Sequence, residues 1–329
     1  MIAALIAFAL VLPATALAVW LVLGWLRKKQ VLDIPNERSS HSLPTPRGGG
    51  LAVTPICLAA WALLAWLGEA PITSLWVAAG GLGLLVLSWL DDRHNLPAAP
   101  RLALHACACI IGLAALPSDA LILQGWLPFW ADRLVALLGY VWFVNLYNFM
   151  DGVDGITGVE TACVALGLTA LAVVFRRVEI MGLSLTLVAA AIGFLIWNWH
   201  PAKLFLGDSG SVPLGYLLGW LLLDLAGHGE LIAALILPLY YLADATITLG
   251  RRAVRGEKVW QAHREHFYQQ AVKGGEPHDR VVLTILGANM LLMVLAHSTV
   301  WAGYRPLVLA VLLVAALLRH FAKVGKGES

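Results

Sequence analysis

The sequence predicts an all-α, polytopic integral membrane protein of about eleven transmembrane helices, with the N-terminus outside and the C-terminus inside. Three observations lead there. Of the 329 residues, 60% are apolar and only 13% are charged, against about 25% charged in an average soluble chain. The mean hydropathy is +0.79, so there are too few polar side chains to cover a soluble enzyme. The apolar residues also fall in blocks of about 16 to 24, the length that carries a helix across about 30 Å of hydrocarbon. A soluble enzyme, a disordered chain and a fibrous chain are excluded. The short alternating strands of an outer-membrane barrel are absent as well.

The expected spans lie near 3–26, 49–67, 73–90, 101–117, 133–149, 157–175, 180–197, 212–226, 231–250, 280–298 and 305–321. In the first, Ala14-Thr15-Ala16 resembles a cleavage site, but no Lys or Arg precedes it. The apolar run continues to Leu26 before the basic stop Arg27-Lys28-Lys29, so an uncleaved span is expected. Orientation follows from the cations. Segments 27–48, 91–101, 145–156, 198–211 and 251–280 carry 5, 2, 0, 1 and 7 Lys or Arg, and the tail carries 3. The opposite side has Arg133, Arg176, Arg177 and Arg305. Basic loops mark the cytoplasm. Residues 1–329 therefore read as a single transmembrane domain whose loops 27–48, 91–101, 145–156, 198–211 and 251–280 share the cytoplasmic face. Cys57, Cys107, Cys109 and Cys163 all sit in apolar runs and read as small lipid-phase residues, not disulfides or metal ligands.

The acidic residues run against the usual pattern. Asp33, Asp91, Asp92, Asp151, Asp154, Asp208 and Asp279, seven of the eleven aspartates, fall on the expected cytoplasmic face. Asp91-Asp92 ends a long apolar run, where paired carboxylates oppose both the helix dipole and each other and call for a cation. Asn145-Leu-Tyr-Asn148-Phe-Met-Asp151-Gly-Val-Asp154-Gly155 packs two Asn and two Asp beside a membrane boundary with no base among them. Such a loop suits a divalent cation, the ribose and base of a sugar nucleotide, or both; the spacing is not that of an EF-hand. Phe205-Leu206-Gly207-Asp208-Ser209-Gly210-Ser211 opens a span with a glycine-flanked carboxylate, where main-chain amides favour an anion and Asp208 can hold a hard cation. In the basic loop, His263 and His266 are one helical turn apart and are expected to share a face. With no third soft ligand evident, a phosphate or sugar contact is the better reading than zinc. The loop 33–50 supplies Arg38, His41 and Arg47 and leads through Gly48-Gly49-Gly50 into a span, a phosphate-contacting loop as an alternative to an ordinary turn-rich linker. Asp224 is expected to reach water near the outer end. Asp244, deeper in a span, is expected to pair with Arg251 or Arg252.

Carboxylates beside basic and histidine-bearing loops, all on one face, suit phosphoryl chemistry. A transporter would place ionisable groups near the bilayer midplane, usually in repeated halves, and a scaffold gives no reason for the Asp clusters. Neither a P-loop nor a dinucleotide fingerprint is present.

Asp91-Asp92, Asn145–Gly155, Phe205–Ser211 and His263–Gln269, in this order and at these span ends, resemble the polyprenyl-phosphate N-acetylhexosamine-1-phosphate transferases (glycosyltransferase family 4), and the 33–50 loop resembles the O-antigen branch. The resemblance implies transfer of HexNAc-1-phosphate (GlcNAc, FucNAc or similar) from a UDP-N-acetylhexosamine to undecaprenyl phosphate, with UMP released. It implies Mg2+ (or Mn2+) as cofactor, membrane lipid as surroundings, no nucleic-acid partner, a homodimer and residence in the bacterial inner membrane. It makes Asp208 the metal ligand with Asp92 assisting, and puts Asp91 by the lipid phosphate as a base. Asn148, Asp151 and Asp154 would bind the nucleotide and order the site, with Asn145 beside them. His263 and His266 would contact the diphosphate or sugar, helped by Arg38, His41, Arg47 and Arg264. One departure is that Arg264 and Glu265 separate the two histidines, which the family often has adjacent.

Overall fold

The computed structural model describes residues 1–35, 43–94, 96–259, 261 and 263–327. The chain forms α1 (Ile2–Lys29), a ribbon of β1 (Leu32–Asp33) and β2 (Thr45–Pro46), α2 (Gly50–Trp66), α3 (Ser74–His94), α4 (Ala98–Ala114), α5 (Phe129–Phe149), α6 (Ile156–Val174), α7 (Val178–Asn198), α8 (Asp208–Leu225), α9 (Leu231–Ile236), α10 (Leu239–Val254), α11 (Phe267–Lys273), α12 (His278–Ala302) and α13 (Arg305–Val324). Among the described residues the only named strands are those two, antiparallel with Leu32 opposite Pro46 and Asp33 opposite Thr45. The all-helical expectation holds.

Among the described residues, eight stretches are long and apolar enough to cross a membrane: α1, α3, α5, α6, α7, the kinked run Asp208–Ile236, α12 and α13. Two shorter apolar helices, Gly50–Trp66 and Ala98–Ala114, join them. The expected span 231–250 is not one helix. The six-residue α9 and the sixteen-residue α10 meet at Leu237-Pro238, where the proline lacks the N–H that would continue the ladder. The turn before α9 is made at His228 and Gly229, whose φ angles of −99° and +100° leave the helical region.

Helices α6, α7 and α8 are buried along most of their length, while α1 and α13 present most of their side chains outward. In lipid, water no longer drives helices together, so close backbone approach carries the packing. Gly50 shows how close that approach is. A Cβ there would lie 2.1 Å from the Gly210 main-chain nitrogen, so the start of α2 crosses the start of α8 with no side chain between them. At the far end of α8, Asp224 is buried and held by Arg177, whose Nη1 and Nη2 donate to its two oxygens at 2.5 and 3.3 Å. The expectation that Asp224 reaches water is corrected: Arg177, at the end of the α6–α7 connection, comes to it. The last turn of α13 returns to α11, with Gly325 against Gln270 and Gly274 against Val324, whereas α1 begins at the bundle end remote from the ribbon. The four cysteines are free thiols, three of them buried.

Gly50→Val is expected to separate α2 from α8 and lower stability by about 3 kcal/mol, the upper part of the usual overpacking cost. Thermal unfolding in detergent, followed with a thiol-reactive dye, measures this. Gly83→Val, at a position with nothing within 4 Å, is the control and should melt close to the parent.

Candidate active site

The site lies where α3 ends and α8 begins, and main-chain bonds build it. Phe205 N–H donates to Pro46 O at 2.8 Å, Gly48 and Gly49 N–H both donate to Phe205 O at 3.1 and 2.9 Å, and Gly50 N–H donates to Leu206 O at 2.9 Å. This seam sets Arg47 beside Asp208, the first residue of α8, and Asp92, in the last turn of α3. Arg47 Nη2 donates to Asp208 Oδ1 at 2.5 Å and lies 3.0 Å from Asp92 Oδ1; its Nη1 is 3.9 Å from Asp33 Oδ2. Gly207, at φ +74°, occupies a left-handed turn open to glycine. A Cβ there would sit 3.2 Å from Arg47 Cγ and 3.3 Å from Asp92 Oδ2, so the same residue leaves room for the ion pairs. The α8 N-terminus favours a negative group, and Ser209 N–H points at Asp92 Oδ2 from 3.5 Å. Asn148 Nδ2 donates to Asp208 Oδ2 at 3.3 Å while its Oδ1 accepts from Ser211 Oγ at 2.6 Å, which fixes the amide's orientation.

Burial works against a charged guanidinium, but Asp208, Asp92, Asp33 and Asp151 together raise Arg47 above its already high value and keep it charged. Burial pushes the Asp151 carboxyl up to about 6, against the Thr157 hydrogen bond (Oγ1 to Oδ1, 2.6 Å) and the pull of Arg47. Four acidic groups thus share one guanidinium. Their surplus of carboxylate oxygens, with no sulfur among the donors, fits a hard divalent cation held by Asp208 and Asp92.

The glycosyl transferase family 4 profile matches residues 74–226, the stretch containing Asp91, Asp92, the 145–155 loop and Asp208. A Bacillus subtilis protein named "Probable undecaprenyl-phosphate N-acetylglucosaminyl 1-phosphate transferase" is 28% identical, over 82% of this chain and 78% of that protein. The decaprenyl-phosphate N-acetylglucosaminephosphotransferase of Mycolicibacterium smegmatis is 28% identical over 94% of this chain and 87% of its own length. The undecaprenyl-phosphate alpha-N-acetylglucosaminyl 1-phosphate transferase of Yersinia pestis is 27% identical over 80% and 76%. Over these lengths the chain is similar to polyprenyl-phosphate N-acetylglucosamine-1-phosphate transferases.

In this chain the remaining expected site residues fall into separate groups. Asp91 is buried and engaged by Arg101 Nη1 at 2.6 Å and Leu96 N–H at 2.7 Å; the loop after α3 folds back onto it. Asn145 accepts a contact from His105 Nδ1 at 3.2 Å and donates to Val141 O. Asp154 is not held by Arg47. Its Oδ2 contacts His200 Nδ1 at 2.6 Å, Ala202 N–H at 3.1 Å and His278 Nδ1 at 3.5 Å, which ties the 145–155 loop to the ends of α7 and α12. His263 and His266 are not on one helix face: α11 starts at Phe267. The chain turn brings their rings within 4.8 Å nonetheless. Burial, with His266 and Arg252 nearby, lowers His263 to about 4. Arg264 is exposed. Arg38 and His41 lie outside the described residues.

Sequence reasoning missed His105, His200, His278 and Arg101. His105, His200 and Arg101 stand mostly among apolar residues and His278 lies in the charged stretch Glu276–Arg280, and each becomes a partner only when another element arrives. Asp244 was seen, but its expected partners are wrong. Arg252 binds Glu257 at 2.8 Å and Arg251 stacks on Phe267, while Asp244 meets His266.

Burial pushes the Asp154 carboxyl up, but the His278, His200 and Ala202 hydrogen bonds outweigh it and hold Asp154 below its ordinary value. A carboxyl depressed in the folded state stabilises above its unfolded pKa of about 3.9, and that stability is lost as pH falls through the folded value. Asp154→Asn is expected to cost about 2 kcal/mol at pH 7. The gap from the parent should close as unfolding is followed down through the carboxylate range.

Proposed function

We propose that this chain transfers N-acetylhexosamine-1-phosphate from a UDP-sugar (GlcNAc, FucNAc or similar) to undecaprenyl phosphate, releasing UMP and initiating an O-antigen or another cell-surface polysaccharide at the bacterial cytoplasmic membrane. The observation that carries this reading is one guanidinium, Arg47, set among Asp208, Asp92 and Asp33 at the end of an apolar bundle. Such a site has carboxylates for a metal and a cation for phosphate, and it faces the level where a lipid headgroup meets a water-soluble donor. The relatives' names support the same substrates.

An oxygen of the lipid phosphate attacks the β-phosphorus of the donor in line. The new bond joins that oxygen to the β-phosphorus, and the bond to the bridging oxygen of UMP breaks. The lipid phosphate is already largely ionised near neutral pH (second pKa about 6 for a phosphate monoester), so the protein needs chiefly to position and neutralise. Asp208 and Asp92 would hold Mg2+, or Mn2+ in its place, and the ion would offset diphosphate charge. Arg47 turns toward a phosphate as donor enters, and Asn148 keeps Asp208 aimed. Asp91, already neutralised by Arg101, orients the acceptor side and is not required as a base.

Purified protein, radiolabelled UDP-HexNAc, undecaprenyl phosphate and Mg2+ should give a labelled lipid product, and a panel of UDP-sugars identifies the sugar. Absence of product with every UDP-HexNAc, together with solute flux in vesicles, would sink the reading. Asp208→Asn is expected to lose about 10³-fold or more in kcat while remaining folded in detergent. Arg47→Gln should have two opposite effects. It removes a charge from the metal position, so Mn2+ measured by electron paramagnetic resonance binds about tenfold tighter, yet turnover falls because the phosphate has lost its cation.

A further inference from the structure

We propose that Asp244 is a positioning residue of this transferase: its carboxylate fixes which nitrogen of His266 carries the proton and keys α11 to the Asp151 loop. The proposal rests on the function given above. Asp244 is fully buried on α10, beyond the Leu237-Pro238 break. Its Oδ1 meets His266 Nδ1 at 3.0 Å and accepts from Phe267 N–H at 3.1 Å and Thr248 Oγ1 at 3.3 Å. Its Oδ2 accepts from Tyr240 Oη at 3.1 Å and Tyr268 N–H at 3.4 Å. Two of these five partners are main-chain N–H groups, which only donate, so the carboxylate is acting as an acceptor. The proton of the contact with the imidazole therefore sits on Nδ1, leaving Nε2 as the ring's acceptor, suited to a hydroxyl or N–H of the donor sugar.

The same carboxylate supplies acceptors to the first turn of α11, whose N–H groups have none within their own helix. His266 is held on its other sides by the His263 ring at 4.8 Å and the Tyr268 ring stacked at 5.7 Å. Tyr268 and Gln269 in turn press on Gly152, where a Cβ would lie 2.3 Å from Tyr268 Oη and 2.6 Å from Gln269 Nε2. One buried carboxylate thus sets both the ring state of His266 and its placement beside the loop that carries Asp151.

Two measurements test this. Protein labelled with ¹⁵N-histidine is compared with His266→Gln, which identifies the His266 resonances. A proton on Nδ1 is expected in the parent, and a bare Nδ1 overturns the proposal whether or not any variant folds. The second is a double-mutant cycle on kcat. Asp244→Asn alone should lower kcat about 10²-fold or more, with KM for the donor within about threefold. In a His266→Gln background the further loss should be under about threefold. Equal losses in the two backgrounds would overturn the role through His266. A chain inactive toward every UDP-sugar defeats the functional reading instead, and the nitrogen measurement still decides the Asp244–His266 contact.

Discussion

Charge compensation by Arg47 is the constraint around which the active end of the bundle is arranged. Carboxylates at the mouth of an apolar bundle repel one another and are costly to desolvate. The protein answers with one guanidinium delivered on a strap, and most of the local architecture serves that delivery. The ribbon of β1 and β2 aims the strap, the seam from Pro46 to Leu206 sews it to the approach to α8, and the left-handed turn at Gly207 clears space for the pairs. The bare crossing of Gly50 on Gly210 then brings α2 and α8 together, so the strap and the carboxylate it serves are fixed to the same crossing.

A second layer of pairs holds the loops around this centre. Arg101 draws the loop after α3 onto Asp91, two histidines anchor Asp154, and Asp244 receives the start of α11. The Asp154 contacts join elements far apart in sequence while the other two each close one connection, and each uses a charged or titratable group at the membrane boundary. The acidic residues therefore divide by role: Asp92, Asp151 and Asp208 converge on the cation, whereas Asp91, Asp154 and Asp244 are bound to protein partners that shape the walls.

The fold class was legible because apolar block length is a local property. So were Asp92, Asn148, Asp208 and Arg47, since each stands in a short motif whose glycines and span ends mark it. Partnership was not legible. Nothing near Asp154 in the chain points to His200 or His278, and the proximity of Arg251 and Arg252 to Asp244 along the helix suggested the wrong ion pair, because α11 folds back over that face. The histidine pair shows a different limit. Helical spacing from 263 to 266 implied a shared face, but the helix begins only at Phe267, and a turn produces the closeness instead. The span at 231–250 failed for a related reason, since hydropathy runs through Pro238 while the main-chain ladder cannot.

The strap that carries Arg47 has a consequence for the order of events. With a guanidinium lodged between Asp92 and Asp208, the site is neither a preformed ion cage nor an uncompensated acidic hole. A stray cation must displace a side chain to enter. A cation arriving already complexed to a diphosphate brings with it the anion that gives the guanidinium somewhere to go. On the proposed function, the site would favour a cation already bound to a nucleotide diphosphate over the bare ion.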